Sequence, residues 1–434
     1  MSNITVESNR LQGTVILPPD KSISHRAIII SSLGQNKVQI RNLSLCEDCL
    51  STLEAFKNFG VTISEDNNSF TIEGKGMDGL RKAPKGEIYL GNSGTSMRLI
   101  LGVLAGQKFS SRLSADASLS RRPMKRVTQP LSLMGAKITG KQGGEFAPLT
   151  IQGGKLSPIN YKAPVASAQV KSAILLAGLY AEGTTTVQEP AKSRDHTERM
   201  LKNFGADISV RGLSVSVTGR ASLVGRDLEV PGDISAASFF LVGTCISKGS
   251  EITIESVGLN PTRTACLKVL KQMGAAVSWE YQDARMADKD YDDEARGEIT
   301  AKYSQLKAIT IKPDQIPSLI DELPILIVAA TQAEGQTKIC GAGELRVKET
   351  DRISSMVSNL VKMGADIRSE ENDIIIRGPS KLLGTTVESF GDHRTAMSMA
   401  IAGLVTSGRT TIKDIDCVNT SFPEFFETLS RLKS

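Results

Sequence analysis

The chain has 434 residues, 40% of them hydrophobic and 23% charged, enough apolar material for more than one buried core in a soluble protein. A net charge of +5 suits anionic small molecules but is too scattered for a nucleic-acid tract, and aromatics at 4% leave few platforms for stacking bases. The apolar stretches, such as AILLAGLYA and PILIVAA, fall far short of the ~20 residues a membrane span needs. The first residues lack the basic and apolar regions of a signal peptide. The six cysteines form no disulfide framework, so a reducing cytoplasm is expected.

In chain order, one phrase recurs: an amphipathic helix stops at Gly and a short strand follows. It reads FKNFGVTIS from Phe56, LSLMGAKIT from Leu131, LKNFGADIS from Leu201, LKQMGAAVS from Leu270 and LVKMGADIR from Leu360. A glycine just past the last helical residue is the expected left-handed stop. The glycines lie about 70 residues apart, with a last gap of about 90.

A second phrase, strand, polar loop, apolar helix and Gly, occurs six times, from VILPPDKSISHRAIIISSLG to VESFGDHRTAMSMAIAGLVTSG. The predicted unit is therefore strand, helix, strand, helix, then one or two strands. The sixth copy runs out at FPEFFETLSRLKS, so NITVES and TVILPP from the N-terminus are expected to supply its missing strands. This predicts an α/β (α+β) protein of two lobes. Residues 20–230 form one lobe of three repeats, and residues 1–19 plus 231–434 form the other, with hinges near Pro19 and Val230-Pro231. The acid-rich segment 279–305 stretches the last gap and reads as an exposed hairpin or loop insertion.

The loops leading into the apolar helices carry the chemistry. Helix N-termini present unpaired N–H groups and partial positive charge, so they attract anions and disfavour bases. Yet PPDKSISHR sets Lys21, Ser22 and Arg26 at one such end, with Ser22 or Ser24 as the expected cap. LGNSGTSMR brings Gly94 and Arg98, SLSRRPMKR brings Arg121, Arg122, Lys125 and Arg126, and VASAQVKS brings Ser167 and Gln169. SLIDELP offers Asp321 and Glu322, GELRVKETDR offers Lys348, Glu349 and Arg352, and GDHRTAMS offers Asp392, His393 and Arg394. Each loop alone reads equally as a cap with solvated charges. Together they place bases where helix ends repel them, which an anionic ligand between the lobes explains, with carboxylates at hand to move protons. HExxH, paired CxxC, calcium-loop, Walker A and GxGxxG patterns are absent, so neither metal nor nucleotide cofactor is expected. Cys46 and Cys49 read as two buried thiols one helical turn apart.

DKSISHRA, GNSGTSMR, SLSRRPM, SAQVKSA, ELRVKETDR and GDHRTAMS, in this order over nearly the whole chain, resemble the 5-enolpyruvylshikimate-3-phosphate synthase family. The resemblance implies two lobes, each of three repeated βαβαββ units, with helices packed inside, sheets outside and the active site in the cleft. It implies transfer of the enolpyruvyl group of phosphoenolpyruvate to the 5-hydroxyl of shikimate 3-phosphate, in the pathway to chorismate and aromatic amino acids. It further implies no cofactor, no nucleic acid or membrane partner, and a monomer. Carried over residue by residue, Lys21, Ser22, Arg26, Ser167, Ala168, Gln169, Arg194, Asp321 and Lys348 hold shikimate 3-phosphate. Lys21, Gly94, Arg122, Gln169, Arg352 and Arg394 hold phosphoenolpyruvate. Asp321 takes the hydroxyl proton, and Glu349 exchanges a proton with the methylene carbon, with Lys21 also in the catalytic set.

The chain departs from the family pattern at Ala168, where many members have Ser, and at Thr420, where many have Lys. The related transferase acting on UDP-N-acetylglucosamine carries a loop Cys that SRLSADASLSRRPMK lacks, and an RNA-end-processing enzyme of similar repeats is disfavoured by the scarce aromatics.

Overall fold

The computed structural model describes residues 2–67, 69–288 and 293–433. It falls into two compact lobes: Met1–Pro18 with Pro231–Tyr291 and Ala295–Ser434, and Pro19–Val230 with Asp292–Glu294. They are called the terminal and the middle lobe below.

Each lobe contains three apolar helices whose residues are buried on nearly every face. In the middle lobe these are Lys21–Leu33, Gly94–Ala105 and Ala168–Gly178, and in the terminal lobe Ile234–Ile246, Leu323–Thr331 and His393–Ala402. A helix apolar all round has no face for water, so it must be walled by other elements. The walls are small sheets, five of four strands and one of three among the described residues. Their strands alternate buried and exposed residues, as in Lys37–Arg41 and Phe146–Gln152, so each sheet keeps one face on the core and one in solvent. This is the predicted arrangement of six units with helices inside.

The recurrent glycines end the amphipathic helices as predicted. Gly60, Gly135, Gly205, Gly274 and Gly364 have φ of 88°, 115°, 86°, 85° and 87°. In each case the next residue donates its N–H five positions back, as Val61 does to the Phe56 carbonyl at 3.0 Å. That closure satisfies a carbonyl at the helix end and turns the chain into its strand.

The N-terminal strands are shared out differently from expectation. Asn3–Val6 does complete the sixth sheet, pairing antiparallel with Thr410–Lys413. Gln12–Val15 instead pairs parallel with Glu251–Ile254 in the sheet of the fourth repeat. The corresponding edge position in the first sheet is taken by Leu228–Glu229, parallel to Ile40–Arg41. Leu11 and Val15 have 0% exposure within the terminal-lobe core, and that burial fixes the second strand where it lies. The acidic insertion is a hairpin of Ala276–Tyr281 against Arg296–Lys302, with a short turn of helix at Ala284–Ala287 in its connection. Residues 289–292 of that connection lie outside the described ones.

Two inner helices of the middle lobe approach closely at Gly102. A Cβ there would lie 2.4 Å from the Ala173 carbonyl oxygen and 2.9 Å from its Cα. Backbone cannot yield as a side chain can, so Gly102→Ala is expected to destabilise the protein by about 1–3 kcal/mol. Urea unfolding checks this: the midpoint drops while the slope stays unchanged.

Candidate active site

In the middle lobe, Asp20 rather than Ser22 or Ser24 caps the helix Lys21–Leu33, its side chain accepting from the Ile23 N–H at 2.9 Å. Asp is an equally good cap, and with Asp20 in that role the Ser22 hydroxyl is left for other work. Lys21 pairs with Asp48 at 3.0 Å. Its carbonyl accepts from the Cys49 thiol at 3.7 Å, which gives one member of the CxxC pair a structural partner. All six cysteines are free thiols.

Arg26 lies deeper than a surface anion ligand, with 4% exposure. Its guanidinium donates to Thr197 Oγ1 at 2.7 Å, Ser172 Oγ at 2.9 Å and the Ser22 carbonyl at 2.8 Å. Burial lowers its pKa to about 10, with Glu198 and Asp20 opposing that shift, so it stays charged at neutral pH. It ties the Lys21-Ser22 end to two other elements.

Ser93 caps the helix Gly94–Ala105, accepting from Ser96 N–H, and leaves Gly94 at the first turn. A Cβ on Gly94 would stand 2.9 Å from Arg98 Nη1 and 3.3 Å from Arg122 Nη1. Gly94, Arg98 and Arg122 are thus brought together. Arg98 also donates to Gln169 Oε1 at 2.7 Å, while Gln169 Nε2 donates to Thr95 Oγ1 at 2.8 Å. Arg98 stood in the right loop, but nothing in the sequence marked it as the residue that orients Gln169. Ser167 caps the helix Ala168–Gly178, and Arg194, partly exposed, precedes the helix His196–Asn203. His196 Nδ1 meets Glu294 Oε1 at 2.6 Å.

In the terminal lobe the charges converge on one guanidinium. Arg352 is 1% exposed and pairs with Asp392 Oδ2 at 2.7 Å, Glu349 Oε2 at 2.5 Å and Asp321 Oδ1 at 3.6 Å. Burial pulls its pKa down, and the carboxylates of Asp392, Glu349 and Asp321 more than offset that, so the net shift is upward. Asp392 caps the helix His393–Ala402 through the Arg394 and Thr395 N–H groups. Arg394 in turn donates to the Asp321 carbonyl at 2.6 Å and approaches its Oδ1 at 3.5 Å. Asp321 therefore does not cap its helix. Glu322 holds the cap position of Leu323–Thr331, also without a side-chain cap bond. Its side chain, at 0% exposure, bonds Ser235 Oγ and lies 3.7 Å from Arg263. The loop VPGDISAAS, which leads into Ile234–Ile246, supplies this anchor beside Asp321 through Ser235. Lys348 and Glu349, partly exposed, follow the short helical turn Gly343–Val347, and Asp351 caps Arg352–Lys362. Thr420 lies 3.3 Å from His393 Nδ1 and donates to the Cys417 carbonyl at 2.8 Å.

Among the described residues no three His, Cys, Asp or Glu side chains gather as ligands for a cation, and no helix is long and apolar enough to cross a membrane.

Six repeats in two lobes, with bases and acids gathered at inner-helix starts, define the enolpyruvyl transferase fold. The enolpyruvyl transferase NikO from Streptomyces tendae shares that fold at a TM-score of 0.80 and 19% identity, covering 99% of this chain and 96% of its own. Residues 6–429 match the family model described as EPSP synthase (3-phosphoshikimate 1-carboxyvinyltransferase), and the chain belongs to that family. A 3-phosphoshikimate 1-carboxyvinyltransferase of Bacillus cereus (strain ZK / E33L) is 49% identical over 425 residues, 98% of this chain and 97% of the relative. A solved EPSP synthase from Acinetobacter baumannii is 45% identical with a TM-score of 0.87, over 100% of this chain and 98% of that one. The chain is thus an enzyme of enolpyruvyl transfer in the shikimate pathway.

Proposed function

We propose that phosphoenolpyruvate and shikimate 3-phosphate are held and reacted by the residues that the family resemblance picks out. The observation that carries the reading is Arg352, whose single buried guanidinium engages Asp321, Glu349 and Asp392. A cation so placed has a ready exchange: an anionic substrate takes its donors, and Asp321 and Glu349 are released as proton carriers.

In this reading Lys21, Gly94, Arg122, Gln169, Arg352 and Arg394 hold phosphoenolpyruvate. Lys21, Ser22, Arg26, Ser167, Ala168, Gln169, Arg194, Asp321 and Lys348 hold shikimate 3-phosphate. Two anions repel each other, and clustered bases offset that repulsion while fixing the reacting atoms side by side. Protonated Glu349 gives its proton to the methylene carbon of phosphoenolpyruvate, which leaves an oxygen-stabilised cationic carbon. The 5-hydroxyl attacks that carbon and passes its proton to Asp321. The tetrahedral adduct then expels phosphate as Glu349 takes a proton back from the new methyl group, restoring the enol ether. No electrons change hands, so no redox partner is required. The assigned residues lie in one chain, so a monomer suffices, and the free thiols suit a reducing cytoplasm.

Arg26 is the residue whose binding role the geometry supports least directly. The donors that bond Thr197, Ser172 and the Ser22 carbonyl act inward, so in this reading it holds Ser22 in place for the substrate.

Phosphate release from phosphoenolpyruvate tests the function. It is expected to depend strictly on shikimate 3-phosphate. Release without it, or none with both substrates, would refute the reading.

Gly94 supplies a sharper test. A Cβ there presses on two guanidinium groups, Arg98 and Arg122. Gly94→Ala is expected to raise KM for phosphoenolpyruvate about tenfold, since losing one charge-assisted contact costs roughly 1.5–3 kcal/mol. Glyphosate, the inhibitor that the family resemblance implies, should compete with phosphoenolpyruvate in the wild type and lose potency in this variant. Unchanged steady-state constants would show that the Gly94 end does not face the donor.

A further inference from the structure

Below Ser167, the middle lobe buries a cluster that the reaction does not use. Lys171 Nζ lies 2.7 Å from Glu189 Oε2 and 2.8 Å from Glu198 Oε1, with side-chain exposures of 2%, 3% and 5%. Glu189 turns its other oxygen, Oε1, to the backbone N–H of Ser167 at 3.2 Å. Glu189 also follows the strand Thr184–Gln188 and opens the loop that carries Arg194. Ser172, next to Lys171, shares a 2.7 Å hydrogen bond with Thr197, next to Glu198, and both contact Arg26.

Three ionisable groups out of water are a costly way to hold a core together, because apolar side chains of similar volume usually do as well or better. What apolar side chains cannot do is accept a hydrogen bond from a cap residue's N–H and set its direction. Charge is close to balanced: Lys171 faces both carboxylates, and Glu198 also acts on the buried Arg26 guanidinium, so the cluster adds little negative charge near an anion.

We propose that Glu189, clamped by Lys171, is a positioning residue that aims the Ser167 end of the helix Ala168–Gly178, and the adjoining Arg194 loop, at the phosphate of shikimate 3-phosphate. This rests on Ser167 being a ligand of that substrate. Glu189 itself touches no substrate: its effect passes through the Ser167 backbone.

The test is steady-state kinetics with melting curves on the full chain. Glu189→Ala, and Glu189→Asp, which withdraws the carboxylate by one carbon, are expected to raise KM for shikimate 3-phosphate about tenfold. KM for phosphoenolpyruvate and kcat should stay within about twofold. Glu189→Gln keeps an acceptor for the Ser167 N–H and should recover most of the affinity. A purely structural cluster would lower the melting temperature in all of these and leave KM of the folded protein at the wild-type value, overturning the proposal. If Glu189→Ala does not fold, the contrast between Asp and Gln decides. Ser167→Ala separates the two readings. If it raises KM for shikimate 3-phosphate while the Glu189 variants do not, positioning fails and the Ser167 assignment stands. If it leaves KM unchanged, the Ser167 assignment fails and positioning falls with it. In the doubly substituted chain the Glu189→Ala effect should shrink, because its route has been removed.

Discussion

Glu349→Gln is expected to lower kcat by on the order of 10²–10⁴, the usual worth of a positioned proton donor, while KM for either substrate moves only a few-fold. The amide keeps an oxygen for Arg352 Nη2, which now bonds Glu349 at 2.5 Å, so the local packing survives. What is lost is the proton. Asp321→Asn should behave alike for the same reason, since its carbonyl bond to Arg394 at 2.6 Å is a backbone contact that substitution leaves alone. The two variants differ in where they stall. Without Asp321 the hydroxyl keeps its proton at the moment of attack. Without Glu349 the donor is never activated, so solvent deuterium should not enter its methylene group. Near-normal turnover in either variant would remove that residue from its assigned step.

Arg352→Met is expected to cost both stability and function. The guanidinium is the shared cation for Asp392, Glu349 and Asp321, and Asp392 is wholly buried. Removing one partner of a buried ion pair leaves the other uncompensated, at about 3–5 kcal/mol. Asp392 keeps its bonds to the N–H groups of Arg394 and Thr395, which places the loss toward the lower end. Binding of phosphoenolpyruvate should weaken by at least about a hundredfold, because a fork of donors is gone and neighbouring acids remain. Arg352→Met with Asp392→Asn should regain much of the stability, as no buried carboxylate is then unpaired, yet stay inactive. Urea titration and activity on the same preparations separate the effects. Full activity in the doubly substituted protein would show that Arg352 serves the fold alone.

Much of this architecture was legible in the sequence because it is written in short range. The glycines after Phe59, Met134, Phe204, Met273 and Met363 end helices through bonds spanning six residues, so they announce themselves locally. The inner helices were legible as apolar runs, and the charges at their starts as residues that a helix dipole would not choose. Long-range partners were not legible. Ser22 or Ser24 was the expected cap of the helix that Asp20 caps: Asp and Ser cap equally well, and only coordinates decide among them. Arg26 meets Thr197 and Ser172, 171 and 146 residues away, which no local pattern records. Lys171 sat inside an apolar phrase as a single charge, Glu322 stood beside Asp321 with nothing to separate their roles, and their partners Arg263 and Glu189 lay in loops without any signal. The placement of Gln12–Val15 beside Glu251–Ile254 was missed for the same reason: a parallel edge strand carries no turn to name its neighbour.

The most direct measurement of the central claim, that acids gathered on Arg352 carry the protons of an enolpyruvyl transfer, is the reaction run in deuterium oxide. With both substrates and wild-type protein, the product's methylene group should contain deuterium, and phosphate should be released in step with product. A product formed with its methylene free of deuterium would contradict reversible protonation at that carbon, and with it the role given to Glu349.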